Sequence, residues 1–365
     1  MRIAYVINSV EGGGAAAPVP AVARVLRGHG ATVGVFALTG RDRRGLPAML
    51  ANGLPVNVRV GGEDDHLSAY LWLSDRLAAW RPDVIWTSLT RATLLGQAIG
   101  QRQRRPVVSW QHAAFLKPAN RWLLRARQSR SLVWIADSQC VARLTKERLA
   151  VPEDRVMLWP LFSADPGAAQ AEPWRLGEPV RIGSLGRLHP VKGYDVLIRA
   201  MAILRETENI PPYEVHIAGD GAERAALERA SRDAGLTNLH FAGHIADPQR
   251  FLAGLHLYVQ PSRSEGLCIA VHEAMQAGLP AIVSAVGEMP YSVCDGETGL
   301  TVPPGDAVAL AAAIGMLLRR PDQCAAMGTA ARERILSRFA AEAFAAAGGR
   351  IMARLDAYLS GGAIP

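Results

Sequence analysis

Short apolar runs alternate with longer amphipathic stretches along the whole chain. Ile3–Ile7, Thr32–Leu38, Val84–Thr87, Val107–Trp110 and Leu132–Ala136 have the length and apolar content of strands. Between them, Val19–His29, Leu67–Trp80, Thr90–Arg102 and Cys140–Ala150 carry apolar residues at helical spacing. A second series of strands follows at Val180–Leu185, Glu214–Ala218, Leu239–Ala242, Leu257–Gln260 and Ala281–Ser284. Its helices are predicted over Gly193–Glu206, Ala222–Ala234, Ala270–Ala277 and Ala307–Arg319. Two runs of strand–helix alternation predict an α/β protein with two parallel sheets, each covered by helices on both faces.

The 365 residues are too many for one ordinary core, which agrees with two domains. Pro160, Pro166, Pro173 and Pro179, with Gly167 and Gly177 among them, mark the boundary. The expected division is 1–162, a linker over 163–179, and 180–339. A further helical stretch, Ala340–Leu359, lies beyond the second series. Sheets of this kind bind ligands at the carboxyl ends of their strands, so a cleft between the domains is the expected site.

Composition narrows the class. With 49% apolar and 20% charged residues the chain is neither disordered nor a disulfide scaffold. Cys140, Cys268, Cys294 and Cys324 are scattered without zinc spacing, which suits a reducing compartment. MRIAYVINSV reads as a first strand rather than a signal peptide, and no apolar run is long enough to span a membrane. A cytoplasmic protein, at most peripheral on a membrane, is therefore expected. Charge is uneven: residues 1–162 carry a net +11 and the remainder −4. That asymmetry points to an anionic partner for the first half.

Several segments carry candidate chemistry. Gly12, Gly13 and Gly14 follow the first strand, where bare backbone lets a ligand approach closely. They do not form GxGxxG, and no acidic residue ends the second strand, which disfavours a nicotinamide-dependent oxidoreductase. His112 lies just past the fourth strand, placed either to bond a substrate hydroxyl or to serve the core. Residues 101–130 hold eight basic side chains and no acid, with Arg121, Arg125 and Arg127 around Trp122-Leu123-Leu124. Such a helix fits an anionic membrane surface or a solvated face equally well.

In the second half, Gly186-Arg187-Leu188-His189-Pro190-Val191-Lys192-Gly193 places two cations and two glycines at a strand-to-helix turn suited to phosphate. Further on, Glu265 precedes a helix that contains Glu273. Amides of Gly266, Leu267, Cys268 and Ile269 lie between them, at a helix start that favours a diphosphate. Were the whole stretch helical, the two carboxylates would stand about 12 Å apart. A carboxylate on each side of a diphosphate suits a nucleotide-sugar.

These segments, with Ala218-Gly219-Asp220-Gly221 and the E-x7-E run Glu265…Glu273 followed by Ala274-Met275-Gln276-Ala277-Gly278-Leu279-Pro280, resemble the retaining glycosyltransferases of family 4. The resemblance covers nearly the whole chain. It implies the GT-B fold, with two Rossmann-like domains facing across a cleft. It also implies sugar transfer from a nucleotide-diphosphate sugar to a hydroxyl, with retention and without an essential metal or cofactor. Arg187 and Lys192 would hold the diphosphate and Glu273 the ribose. Glu265 and His112 would meet the donor sugar, with Gly266, Leu267, Cys268 and Ile269 completing the phosphate site. Gly12–Gly14 would border a saccharide or lipid-linked acceptor, and the terminal helix would return to the first domain. Cys268 and Leu267 depart from the glycine and phenylalanine common at their positions. Polysaccharide or glycolipid assembly is the expected setting.

Two other readings stay open at this point. A sugar-nucleotide epimerase of similar architecture needs no acceptor. A non-enzymatic basic protein would bind polyanions or membrane without using Glu265 or Glu273. No nucleic-acid-binding module accompanies the basic stretch.

Overall fold

A computed structural model describes residues 1–112, 116–175 and 177–361. Two units separate: Met1–Phe162 with the segment from Glu342 onward, and Ser163–Ala341. Both contain a wholly parallel sheet.

The first unit has seven strands: β1 (Arg2–Ser9), β2 (Thr32–Thr39), β3 (Val56–Val58), β4 (Val84–Ser88), β5 (Val107–Gln111), β6 (Val133–Ala136) and β7 (Val156–Leu158). Their order is β3-β2-β1-β4-β5-β6-β7. Six helices fill the connections: α1 (Val19–Gly28), α2 (Leu46–Ala51), α3 (His66–Trp80), α4 (Thr90–Gln103), α5 (Pro118–Ala126) and α6 (Gln139–Leu149). Ile3 to Ile7 are all fully buried, as a parallel strand covered on both faces requires.

The second unit has six strands: β8 (Val180–Leu185), β9 (Tyr213–Ala218), β10 (Leu239–Gly243), β11 (Leu257–Gln260), β12 (Ala281–Ser284) and β13 (Gly299–Val302). They run in the order β10-β9-β8-β11-β12-β13. Its helices are α7 (Tyr194–Arg205), α8 (Arg224–Asp233), α9 (Pro248–Ala253), α10 (Ile269–Gln276), α11 (Met289–Ser292), α12 (Ala307–Leu318) and α13 (Pro321–Arg338). The last helix, α14 (Ala341–Leu359), packs in the first unit. There Phe344 meets Trp159 at 5.3 Å between ring centres, and Trp159 stacks on Trp110 at 5.0 Å.

Strand and helix positions agree closely with the sequence pattern, but the sheets hold seven and six strands where five each were expected. The additions, β3, β7 and β13, are edge strands of three or four residues and only partly buried, so they lack the continuous apolar run of the buried four-residue strands β11 and β12. Helix α13 was not predicted either. Its buried face is Cys324, Met327, Gly328, Ala331 and Ile335, helically spaced but built largely of small residues. Gly328 is small because a Cβ there would strike the Gly278 carbonyl.

The proline-rich segment expected to be a linker is fastened to the second unit. The Asp165 amide donates to Gln276 Oε1 at 2.7 Å and the Ala171 amide to the Ala277 carbonyl at 2.8 Å. Arg332 donates to the carbonyls of Gln276 and Pro166. Among the described residues, no helix is long and apolar enough to cross a membrane.

Strand order reverses direction between β1 and β4 in one sheet and between β8 and β11 in the other. At such switch points the flanking loops diverge and leave a crevice at the strands' carboxyl ends. The candidate residues lie beside these two points.

Candidate functional site

In the second unit, the turn after β8 and the segment after β11 meet across the switch point. Lys192 Nζ donates to Glu265 Oε1 at 2.6 Å, and the Ser262 hydroxyl donates to the same oxygen at 2.6 Å. Burial alone would depress the Lys192 ammonium, but the Glu265 carboxylate more than offsets it and holds the lysine well above its ordinary range. The two residues expected to hold different parts of a ligand are thus bonded to each other.

Behind Glu265 runs a directed chain of polar groups. Tyr258 OH donates to Gln260 Oε1 at 2.7 Å, and Gln260 Nε2 donates to Ser262 Oγ at 2.8 Å. These three residues went unnoticed in the sequence. Their spacing of two, at the end of a buried strand, was the available signal. Arg263 was also missed. It fastens the cationic turn by donating to both Asp195 oxygens, at 2.7 and 2.6 Å, and to the Pro190 carbonyl at 2.8 Å. Arg187 on the same turn is exposed.

Glycines in this region answer to contact rather than to general flexibility. Gly219 has φ +140° and lies against the Gly186 carbonyl, where any Cβ would collide. The Gly186 amide donates to the Ala218 carbonyl and the Leu188 amide to the Asp220 carbonyl, both at 2.9 Å. The Gly219-Asp220-Gly221 run therefore buttresses the cationic turn.

Helix α10 starts at Ile269, so residues 265–268 are not helical and a uniform 1.5 Å rise from Glu265 to Glu273 does not apply. Cys268 precedes the helix in the left-handed region, φ 62° and ψ 71°. Its carbonyl accepts from the Val271 amide at 3.1 Å and from His272 Nδ1 at 2.9 Å. Burial holds His272 at about 4, hence neutral, and pushes the Cys268 thiol far up. Leu267 is buried, whereas Gly266 and Ile269 are partly open. Glu273 lies in the second turn of α10, partly buried, and that burial alone raises its carboxyl to about 7.

In the first unit, Gly12–Gly14 lie in the loop after β1. The Gly12 amide donates to Asp42 Oδ1 at 3.0 Å, while a Cβ on Gly13 would meet nothing within 4 Å. The fold itself does not demand glycine at position 13. His112 follows β5 and is nearly enclosed, with both ring nitrogens engaged inside the unit, by Ser88 and Asp137. The basic stretch contains α5, whose Leu124 is buried while Trp122 keeps 69% of its surface. Lys117, Arg121 and Arg125 are exposed around it; residues 113–115 lie outside the described ones.

Two family models match the chain. Residues 12–162 match Glycosyltransferase Family 4, and residues 169–334 match Glycosyl transferases group 1. A GDP-mannose-dependent alpha-(1-6)-phosphatidylinositol monomannoside mannosyltransferase from Mycolicibacterium smegmatis is 34% identical over 184 residues, 47% of each chain. Glycogen synthase from Mycobacterium tuberculosis is 29% identical over 288 residues, covering 72% of this chain and 66% of that enzyme. The matched parts thus span about half to two thirds of these curated relatives. Among solved structures, Anabaena Alr3699/HepE in complex with UDP-glucose superposes with a TM-score of 0.84 at 21% identity, over 97% of this chain and 99% of that one. This likeness establishes the two-unit fold.

Proposed function

The chain belongs to the family 4 glycosyltransferases, and on that premise we propose that it moves a sugar from a nucleotide-diphosphate sugar to a hydroxyl acceptor. The observation that carries the reading is the pairing of Lys192 with Glu265 across the second sheet's switch point, beside the start of α10. One place therefore offers cations, helix-start amides and two carboxylates. That combination suits a diphosphate flanked by hydroxyls.

In this reading Arg187 and Lys192, with the amides of Gly266, Leu267, Cys268 and Ile269, hold the diphosphate and stabilise the charge that develops as it departs. Glu273 takes the ribose hydroxyls and Glu265 those of the donor sugar, and His112, in the first unit, is assigned a part in the transfer. The bond from the anomeric carbon to the phosphate oxygen breaks as the bond to the acceptor oxygen forms on the same face. The acceptor's proton passes to the departing phosphate, so configuration is retained and neither metal nor cofactor is called on. Gly12–Gly14 border the acceptor, a saccharide or lipid-linked saccharide. Helix α5, with exposed Trp122 among Lys117, Arg121 and Arg125, rests on an anionic membrane surface at the cytoplasmic face. The mannosyltransferase and the UDP-glucose complex support a nucleotide-sugar donor without choosing between their bases.

A thermal-shift panel of nucleoside diphosphates and nucleotide-sugars tests this, because a ligand of the folded state raises the melting temperature by mass action. Stabilisation by one nucleotide family, lost in Glu273→Ala, is expected. A folded protein indifferent to every nucleotide would overturn the reading and favour polyanion binding. Product formed from a donor without any acceptor would instead indicate an epimerase.

A further inference from the structure

The segment from Glu265 to α10 turns through Cys268, the residue before the helix, at φ 62° and ψ 71°. Glycine adopts this left-handed conformation freely, whereas a residue with a Cβ is disfavoured there. Two groups hold the segment. The Glu288 amide donates to the Gly266 carbonyl at 3.0 Å, and His272, in the first turn of α10, lies with Nδ1 2.9 Å from the Cys268 carbonyl. A carbonyl can only accept, so Nδ1 carries the proton. Burial keeps the ring neutral, which leaves Nε2 a lone pair, and Ser292 Oγ donates to it at 2.9 Å. Phe339 meets the ring edge-on, with 4.7 Å between centres. These contacts agree on one tautomer and one orientation.

The Cys268 carbonyl also accepts from the Val271 amide at 3.1 Å, so both its lone pairs are used. The Val271 bond is made by backbone and needs no particular side chain. The second bond exists only because position 272 carries a donor that reaches back four residues, about one turn. The first amides of a helix have no acceptors within it, and those of Gly266 to Ile269 are the ones assigned to the diphosphate. Their directions follow the backbone at Cys268. Relaxation of Cys268 to an ordinary conformation would turn the peptides on either side of it.

We propose that His272 is a positioning residue for the diphosphate: its Nδ1–H clamps the Cys268 carbonyl and so keeps, in a residue other than glycine, the left-handed turn that presents these amides. The proposal rests on the glycosyltransferase reading for its ligand, but not for the clamp. It makes His272 necessary because residue 268 is not glycine.

A double-mutant cycle tests that dependence, with UDP and GDP as calorimetric probes. Affinity should fall about tenfold in His272→Leu, the worth of one hydrogen bond. It should stay within about threefold in His272→Asn, whose side-chain amide still offers a donor near the place of Nδ1. In a Cys268→Gly background, His272→Leu should cost less than about threefold, because glycine needs no clamp. Undiminished affinity in His272→Leu, no rescue by asparagine, or an equal loss in both backgrounds overturns the positioning role. Imidazole 15N spectra of the ligand-free protein, with His272 assigned by its loss in His272→Asn, should show Nδ1–H, and Nε2–H overturns the clamp. If His272→Leu does not fold, Cys268→Gly must restore its folding, and failure to do so overturns the proposal. If the wild type binds neither UDP nor GDP, the diphosphate reading falls together with the role given to its amides. The spectra and the denaturation midpoints of the same cycle would still decide the clamp.

Discussion

Replacing Cys268 by glycine and by alanine should nearly erase the usual stability gap between those two residues. At an ordinary buried position glycine is the worse choice, since it loses the Cβ contacts and adds about 0.5–1 kcal/mol of chain entropy to the unfolded state. Cys268 is buried and has φ 62° and ψ 71°, held there by two hydrogen bonds to its carbonyl. A side chain in that region costs about 1–2 kcal/mol. Alanine keeps this cost and loses the buried sulfur, for a net loss of about 1 kcal/mol. Glycine loses the sulfur and the Cβ, worth about 2 kcal/mol together, plus the entropy, but recovers the backbone strain. The two variants should therefore lie within about 0.5 kcal/mol of each other, whereas without the strain glycine would trail alanine by about 1.5–2 kcal/mol. Denaturant midpoints for the second unit, at unchanged m-value, measure the difference. A glycine variant less stable than alanine by about 1.5 kcal/mol or more would refute the claim that strain is stored at this helix start.

Three further outcomes are expected. Because burial lifts Glu273 to about 7, its protonated form is favoured in the folded state, so stability is greatest below its unfolded value and declines as pH rises through 7. Relative to Glu273→Gln, the wild type should lose about 3 kcal/mol between pH 4.5 and 8, while nucleotide affinity, read by calorimetry, rises over the upper part of that interval. A flat difference would refute the assignment. Gly219→Ala places a Cβ on the Gly186 carbonyl at φ +140° and should cost about 3 kcal/mol or more, seen as a lowered melting temperature. Vesicles of anionic lipid should pellet the wild type at low salt but not a variant with Trp122, Arg121 and Arg125 replaced by alanine; equal pelleting would remove α5 from membrane binding.

Much of this molecule is legible in one dimension, because buried parallel strands read as apolar runs and glycine-bounded turns mark where strands give way to helices. The cationic turn and the glutamate pair were visible for that reason: each lies within a single continuous segment. What escaped recognition is pairing between distant segments. Arg263 and Asp195 are separated by 68 residues, and nothing near either one announces the other. Ser138 caps α6, its hydroxyl accepting from the Val141 amide at 3.2 Å, a contact local enough to be read from sequence. Its neighbour Asp137 meets Trp110 on β5 and His112 just beyond that strand, and only the β5–β6 register brings them together. Likewise, the sequence offers His112 as either structural or functional, and the structure adds that both its ring nitrogens are engaged, by Ser88 and Asp137.

The last helix has a consequence for how the chain is made. Trp159 belongs to the first unit, yet the Phe344 ring that packs on it and Gly348, which admits it closely, come 185 and 189 positions later. At a ribosomal pace of about 5–20 residues per second, that tryptophan waits roughly 10–40 s for its cover. The second unit lies between them as one unbroken stretch and can close during the wait. The half synthesised first is the half finished last, with an aromatic surface open to chaperones until the terminal helix emerges.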